Sequence, residues 1–141
     1  MKKLLVILVI ALLSVSSYSQ NLLNLKIGDC VDGNYNPILS VSGIDYKYDK
    51  FNGHDVYTQY TYYSRVKTDI TFNNNVLERL LIEFPLNGQD GSHVLNAFYK
   101  NLSKIEGSRN WIYKNNTYTH NSNGHTTIIS LVNNSIFISK F

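Results

Sequence analysis

Two histidines, His120 and His125, are the residues of this sequence best spaced to do chemistry together. They flank residues 121–124, which include the hairpin-forming dipeptide Asn123-Gly124. A tight turn would bring the two imidazoles close, and imidazole is a preferred ligand of zinc and copper. A durable site needs a third or fourth ligand, and no Asp, Glu or Cys lies nearby in the sequence. We therefore predict no metal site and no cofactor, and expect two polar residues on an exposed hairpin tip. Metal binding by His120 and His125 is the alternative.

Other residues with catalytic potential are poorly placed. His54 precedes Asp55, but adjacent residues of an extended chain point to opposite faces and make a poor dyad. His93 is expected on the surface of a helix, and Cys30 is the single cysteine, which we expect to be partly buried. The chain has no phosphate-binding glycine loop, no His-Glu-x-x-His and no Gly-x-Ser-x-Gly motif. These observations favour a protein that is not an enzyme.

Aromatic residues form the second group of interest, because the chain has 11 tyrosines and one tryptophan. One face of a strand can pack beneath a helix, whereas the other would present aromatic rings and hydroxyls of the kind enriched at interfaces. Alternation leaves either Tyr57 and Tyr63 or Tyr60 and Tyr62 outward. The candidate binding residues are Tyr57, Tyr60, Tyr62, Tyr63, Trp111 and Tyr113.

The first residues are typical of a secretory signal peptide. Lys2 and Lys3 precede an apolar run of about ten residues, and Ser17 and Ser19 form a small-x-small cleavage site. The run is about half the length that crosses a bilayer. We expect a signal peptide at 1–19, cleavage before Gln20, export to the periplasm or beyond, and no membrane insertion afterwards.

Composition after the leader excludes some partners. The chain has 13 basic and 10 acidic residues, and removal of Lys2 and Lys3 leaves a formal charge of +1. A nearly neutral domain gives no electrostatic reason to expect nucleic acid as a partner. Residues 20–141 have the size of a single domain, in which we expect 20–43 to be an irregular lead-in with a strand at 22–27.

Strand patterns dominate the rest of the chain. We predict strands at 56–63, 67–72, 76–84, 111–113, 117–120, 126–132 and 135–141, separated by Asn-rich turns. One helix stands out at about 92–106. Its apolar stripe comprises Leu95, Phe98, Leu102 and Ile105, with Ser92 as the N-cap and Gly107 at the C-terminus. The order predicts an α+β fold with an antiparallel sheet of six to eight strands and one helix packed on one face.

The sequence supports three functional hypotheses. The first is an exported, non-enzymatic binding protein, of the inhibitor or immunity type, that recognises a protein or envelope component through a tyrosine-rich sheet face. The second is a small enzyme or metal-dependent module that uses His120 and His125, and the third is an accessory subunit whose sheet edge pairs with another chain. The sequence leaves the partner's identity and the oligomeric state open.

Overall fold

The computed structural model describes residues 23–30, 47–60 and 65–141, and gives the side chains of Gln59 and Tyr60 no description. The predicted signal peptide and most of the lead-in lie outside the described residues. The described part contains eight strands and one helix. They are β1 Lys47–Phe51, β2 His54–Tyr60, β3 Lys67–Asn73, β4 Val76–Pro85, α1 Gly91–Glu106, β5 Trp111–Lys114, β6 Thr117–Ser122, β7 His125–Val132 and β8 Ser135–Lys140.

All eight strands form one antiparallel sheet in the order β1-β2-β3-β4-β8-β7-β6-β5. The α+β prediction is therefore confirmed. Two four-strand meanders meet where β4 pairs with β8, and α1 connects them. One row of paired residues crosses the whole sheet on the side that α1 covers. From one edge to the other it runs Trp111, His120, Thr127, Lys140, Leu80, Ile70, Tyr57 and Tyr48.

Asparagine makes the tight turns between strands, as the sequence predicts. Asn74 and Asn75 have φ of 48° and 63°, and Asn115 and Asn116 have 51° and 56°. Asparagine tolerates this left-handed region because its short side chain bonds locally to the backbone. These turns fix the register of the hairpins and hence which side chains face α1.

A bulge in β4 changes which residues reach the core. Phe72 pairs with Leu77 whereas Thr71 pairs with Arg79, so Glu78 is an extra residue. The extra residue lets Leu77 and Leu80 both face α1, although strict alternation would separate them. Both leucines are fully buried.

Helix α1 covers the core but begins differently from the prediction. Asp90, rather than Ser92, is the N-cap, and its side chain accepts hydrogen bonds from the backbone N–H groups of Ser92 and His93. Leu95, Phe98 and Leu102 are buried, whereas Ile105 is only partly buried. The helix packs mainly on β7 and β8. Gly107 ends it with φ 93° and ψ 150°, a conformation that favours glycine.

The lead-in segment, residues 23–30, is not the strand that we predicted. It consists of turns and makes only an isolated bridge, between Cys30 and Val76. Gly28 N–H donates to the Leu77 carbonyl, and Leu77 N–H donates to the Asp29 carbonyl, which ties the segment to β4. Leu23 is fully buried, whereas Cys30 is exposed, contrary to its predicted partial burial. Among the described residues, no helix is long and apolar enough to cross a membrane.

Candidate functional site

A cleft of about 530 Å³ opens on the α1 side of the sheet, within the range of small-molecule sites. Three parts of the chain form its walls: the lead-in segment, the C-terminal end of α1 and the β6–β7 hairpin with the end of β8. The lining residues used below are Asp29, Glu106, His120, His125 and Lys140.

A buried charge cluster forms the inner wall of this cleft. Glu106, on the last turn of α1, places Oε1 2.7 Å from Nζ of Lys140 and Oε2 3.4 Å from Nδ1 of His120. His120 and Lys140 are both buried. One carboxylate thus faces two nitrogen groups in a site of low polarity, where their electrostatic interactions are stronger than at the surface.

Lys140 has a structural role in this cluster. Its Nζ donates to the carbonyl of Leu23 at 2.6 Å and to that of Leu25 at 3.2 Å. With Glu106, these acceptors use all three N–H donors of the ammonium group. Lys140 therefore fastens the lead-in segment to the sheet and to α1, and has no donor left for a ligand.

His120 differs, because one of its ring nitrogens is open. Trp111 stacks on the imidazole at 4.8 Å between ring centres, and Glu106 faces Nδ1. Within the part of the chain that the structure describes, no hydrogen bond is made by Nε2. The only buried side-chain nitrogen or oxygen there without a hydrogen bond is Nδ1 of His54, so Nε2 of His120 reaches the solvent of the cleft.

His125 lies on the same wall. His120 pairs with Thr127, and Ser122 pairs with His125, so both histidines point to the α1 side of the sheet and are diagonal neighbours across two strands. The expectation of two polar residues on an exposed hairpin tip is wrong for His120, because β6 continues to Ser122 and buries it. His125 begins β7 and is exposed. Among the described residues, no group of three or more His, Cys, Asp or Glu side chains is arranged to hold a metal ion.

An aromatic cluster lies beside the cleft, at the β5 edge of the sheet. Tyr118 stacks on Tyr99 of α1 at 4.1 Å and contacts Tyr113 at 4.6 Å, while Tyr99 meets Trp111 edge-on at 5.4 Å. We call Tyr99, Trp111, Tyr113 and Tyr118 the β5 cluster. Nε1 of Trp111 donates to the carbonyl of Gly107 at 2.8 Å. This bond and the stacking hold the cluster in place. Burial raises the pKa of the Tyr118 phenol, with smaller contributions from Tyr113 and Tyr99.

The other candidate tyrosines lie on or after β2. Tyr57 faces α1 and packs its ring against Phe72 at 6.0 Å, at the margin of the core. Burial, followed by the charge of Asp55, raises its pKa. Tyr60 ends β2 opposite Lys67, and Tyr62 and Tyr63 lie outside the described residues. Of the six predicted binding residues, the structure brings Trp111 and Tyr113 together.

A second cleft, of about 670 Å³, lies on the opposite side of the sheet at the β1–β4 end. His54 and Glu78 line it, with Nδ1 of His54 2.8 Å from Oε2 of Glu78. This Nδ1 makes no aligned hydrogen bond, so the contact is electrostatic. The cleft has exposed rims at Phe51 and Phe141, and the side chains of His54 and Glu78 are partly exposed, although Nδ1 of His54 itself is buried.

The sequence did not identify two residues of the first cleft, Glu106 and Lys140. Lys140 had a signal, since it alternates with Ile136 and Ile138 on the inward face of the last strand. Glu106 had no such signal, because its contact with His120 depends on how α1 crosses the sheet.

Comparisons with protein-family models, with curated proteins and with solved structures give no match. The geometry described above is therefore the basis for the proposed function.

Proposed function

We propose that this chain is a small, exported, non-enzymatic binding protein of the inhibitor or immunity type, and that an extended segment of a protein partner docks along β5. The observation that carries the proposal is the exposure of Ile112 and Tyr113 on an edge strand. Their exposed fractions are 63% and 55%. Exposed tyrosine and aliphatic side chains on a rigid support are typical of interface hot spots.

The two edge strands of the described sheet differ in how strongly their side chains discourage a strand of another chain from pairing with them. The five residues of β1 include Lys47, Asp49 and Lys50, whereas β5 carries one charge, Lys114. Charges on an edge strand discourage other chains from adding to the sheet. The β5 edge is therefore the better acceptor for an added strand.

The β5 cluster supports Tyr113 before any partner arrives. Tyr113 rests on Tyr118, and its hydroxyl donates to Oδ1 of Asn116 at 3.1 Å. A side chain that is already ordered loses less conformational entropy on binding. A partner that contacts Tyr113 consequently gains more net affinity than it would from an unsupported ring.

The first experiment identifies the partner by site-specific photocrosslinking in cells that make the protein naturally. A photoreactive phenylalanine analogue replaces Ile112 on β5 or, as the matched control, Phe51 on β1, whose exposed fraction is 68%. We expect one predominant protein adduct from position 112 and none of the same mass from position 51. Adducts to a second copy of this chain alone, or adducts from position 51 only, would contradict the proposal.

The second experiment measures affinity by calorimetry with the purified partner. Tyr113→Ser should weaken binding by about thirtyfold, the loss of about 2 kcal/mol expected of an aromatic hot spot. Tyr48→Ser is the matched control on β1, because its exposed fraction of 52% is close to that of Tyr113. A loss of affinity in Tyr48→Ser, with Tyr113→Ser unchanged, would move the interface to the opposite edge.

A further inference from the structure

His120 leaves one imidazole nitrogen available in the cleft. Its side chain is 6% exposed, its Nδ1 faces a carboxylate, and its Nε2 opens into the cleft without a hydrogen bond from the described residues. Water in the cleft can satisfy this nitrogen, so the arrangement costs no stability by itself. It does leave Nε2 accessible to a ligand.

The carboxylate behind His120 indicates what kind of ligand this nitrogen would bind. Metal-binding histidines usually direct their second nitrogen at a carboxylate or carbonyl, which fixes the ring and increases the basicity of the ligating nitrogen. Glu106 occupies this position at 3.4 Å from Nδ1. The sequence offers no third or fourth ligand beside the two histidines, and the described part of the fold does not add one. It does supply, from α1, a carboxylate that can orient His120.

His125 supplies a second imidazole. As a diagonal neighbour on the same face, it lies about 7 Å from His120 across β6 and β7, within reach of two long side chains. Two zinc–nitrogen bonds of about 2.0 Å require the two nitrogens to approach to about 3 Å. The side chain of His125 is exposed, and its Nε2 lies near Gly28 of the lead-in segment, so the ring has to turn toward His120 to complete this site.

We infer that Nε2 of His120 and the imidazole of His125 bind one divalent transition-metal ion, of which zinc is the representative. No third His, Cys, Asp or Glu joins them closely among the described residues. Water or a bound molecule completes the coordination. Catalytic zinc sites have three protein ligands, so we expect this two-histidine site to hold the ion less tightly than they do. The charge of Lys140 does not oppose the metal strongly, since Glu106 pairs with it at 2.7 Å.

The test is isothermal calorimetry with zinc chloride on the purified chain, free of any histidine tag. This measurement needs no protein partner, so its outcome is independent of the proposed β5 interface. We expect one zinc ion per chain. His125→Asn should weaken binding by at least about tenfold, because losing a ligand costs no less than losing the group that orients one. This variant changes an exposed residue and should leave unfolding unaltered.

Three further variants decide the assignment. His120→Asn should also weaken zinc binding at least about tenfold, and Glu106→Gln should do so by about 10- to 100-fold. His54→Asn is the control, since it removes the other imidazole that faces a glutamate. The inference is overturned if zinc does not bind, if both His120→Asn and His125→Asn bind as wild type, or if His54→Asn loses the zinc.

Discussion

In each half of the sheet, β1–β4 and β5–β8, one histidine faces a glutamate, and the two pairs differ in their exposure to water. Glu78 comes from β4 itself, whereas Glu106 comes from α1. The His54 and Glu78 side chains are 34% and 46% exposed, whereas those of His120 and Glu106 are 6% and 16% exposed. The first pair lies on the face of the sheet opposite α1, with both side chains partly exposed, although Nδ1 of His54 itself is buried. The second lies under α1, with Lys140 bound to the same carboxylate. The same two residue types therefore give a partly exposed contact in one half and a largely buried charge cluster in the other.

The difference arises from the position of α1. The helix packs mainly on β7 and β8, so the β5–β8 half has a covered face and a walled cleft. At the far edge, β1 has no buried residue. Shielding by α1, rather than the local sequence, decides which histidine has a low-polarity environment. Function is therefore expected in the β5–β8 half, and the following measurements test that division.

The largest effect should come from removing the centre of the covered core. Phe98 is buried and packs edge-on against Phe84 at 5.4 Å. Phe98→Ala should lower the free energy of unfolding by about 3–5 kcal/mol, the usual cost of deleting a buried ring. Phe51→Ala, on the exposed β1 edge, should change it by less than about 0.5 kcal/mol. Denaturant unfolding measures both. A loss below about 1 kcal/mol for Phe98→Ala would show that α1 does not cover this half as described.

The glutamates provide the next test. Glu106→Gln should cost about 2–3 kcal/mol, somewhat less than breaking a fully buried ion pair, because two carbonyls still accept from Lys140. Glu78→Gln should cost at most about 1 kcal/mol, as for other exposed ion pairs. If urea unfolding showed the same loss of unfolding free energy for Glu106→Gln and Glu78→Gln, the two glutamates would contribute equally to stability and the two halves would not differ in this respect.

A smaller effect should follow from weakening the start of α1. Asp90→Ala should cost about 1 kcal/mol, because two backbone N–H groups lose their acceptor. Ser92→Ala, at the N-cap that the sequence predicted, should cost less. Hydrogen exchange would sharpen the result: in Asp90→Ala, protection should fall in β7 and β8 before it falls in β2 and β3. If Ser92→Ala destabilised the protein more than Asp90→Ala, Ser92 would be the N-cap, as the sequence predicted.

The fold was predictable from the sequence because its signals are local. Alternation along 67–72 and 126–132, the Asn turns and the stripe through Phe98 each depend on residues within one element or hairpin. The N-cap was missed because Asp90 and Ser92 are both capable caps, and only the backbone decides between them. The extent of β6 was also underestimated: the predicted strand ended at His120, beside an exposed hairpin tip, whereas β6 continues to Ser122.

The site was not predictable in the same way. Glu106 and Lys140 meet from elements 34 positions apart, and Lys140 binds carbonyls more than 100 positions away in the lead-in segment. No periodicity encodes such contacts, since they depend on how α1 and the lead-in segment cross the sheet. The sequence identified His120 and His125 by type and spacing, but the carboxylate that orients His120 appears only in the folded chain.

The smallest expected effect compares two partly buried tyrosines, Tyr57 and Tyr118, one in each half. Their raised pKa values mean that the folded state holds the phenol proton more tightly than the unfolded state. The resulting stability is complete below about pH 10, the ordinary tyrosine pKa, and is lost as the pH rises through the folded pKa. Tyr118→Phe and Tyr57→Phe should each make the free energy of unfolding decline less steeply above that pH.

Asp55 distinguishes these two tyrosines. Its charge contributes to the raised pKa of Tyr57, whereas the contributions to Tyr118 come from burial, Tyr113 and Tyr99. Asp55→Asn should therefore reduce the alkaline effect of Tyr57→Phe and leave that of Tyr118→Phe unchanged, as measured by denaturant unfolding between about pH 9 and 11. If Asp55→Asn altered both effects equally, the two halves would be electrostatically coupled across the sheet. The buried charge cluster beneath α1 would then not be isolated from the β1–β4 half.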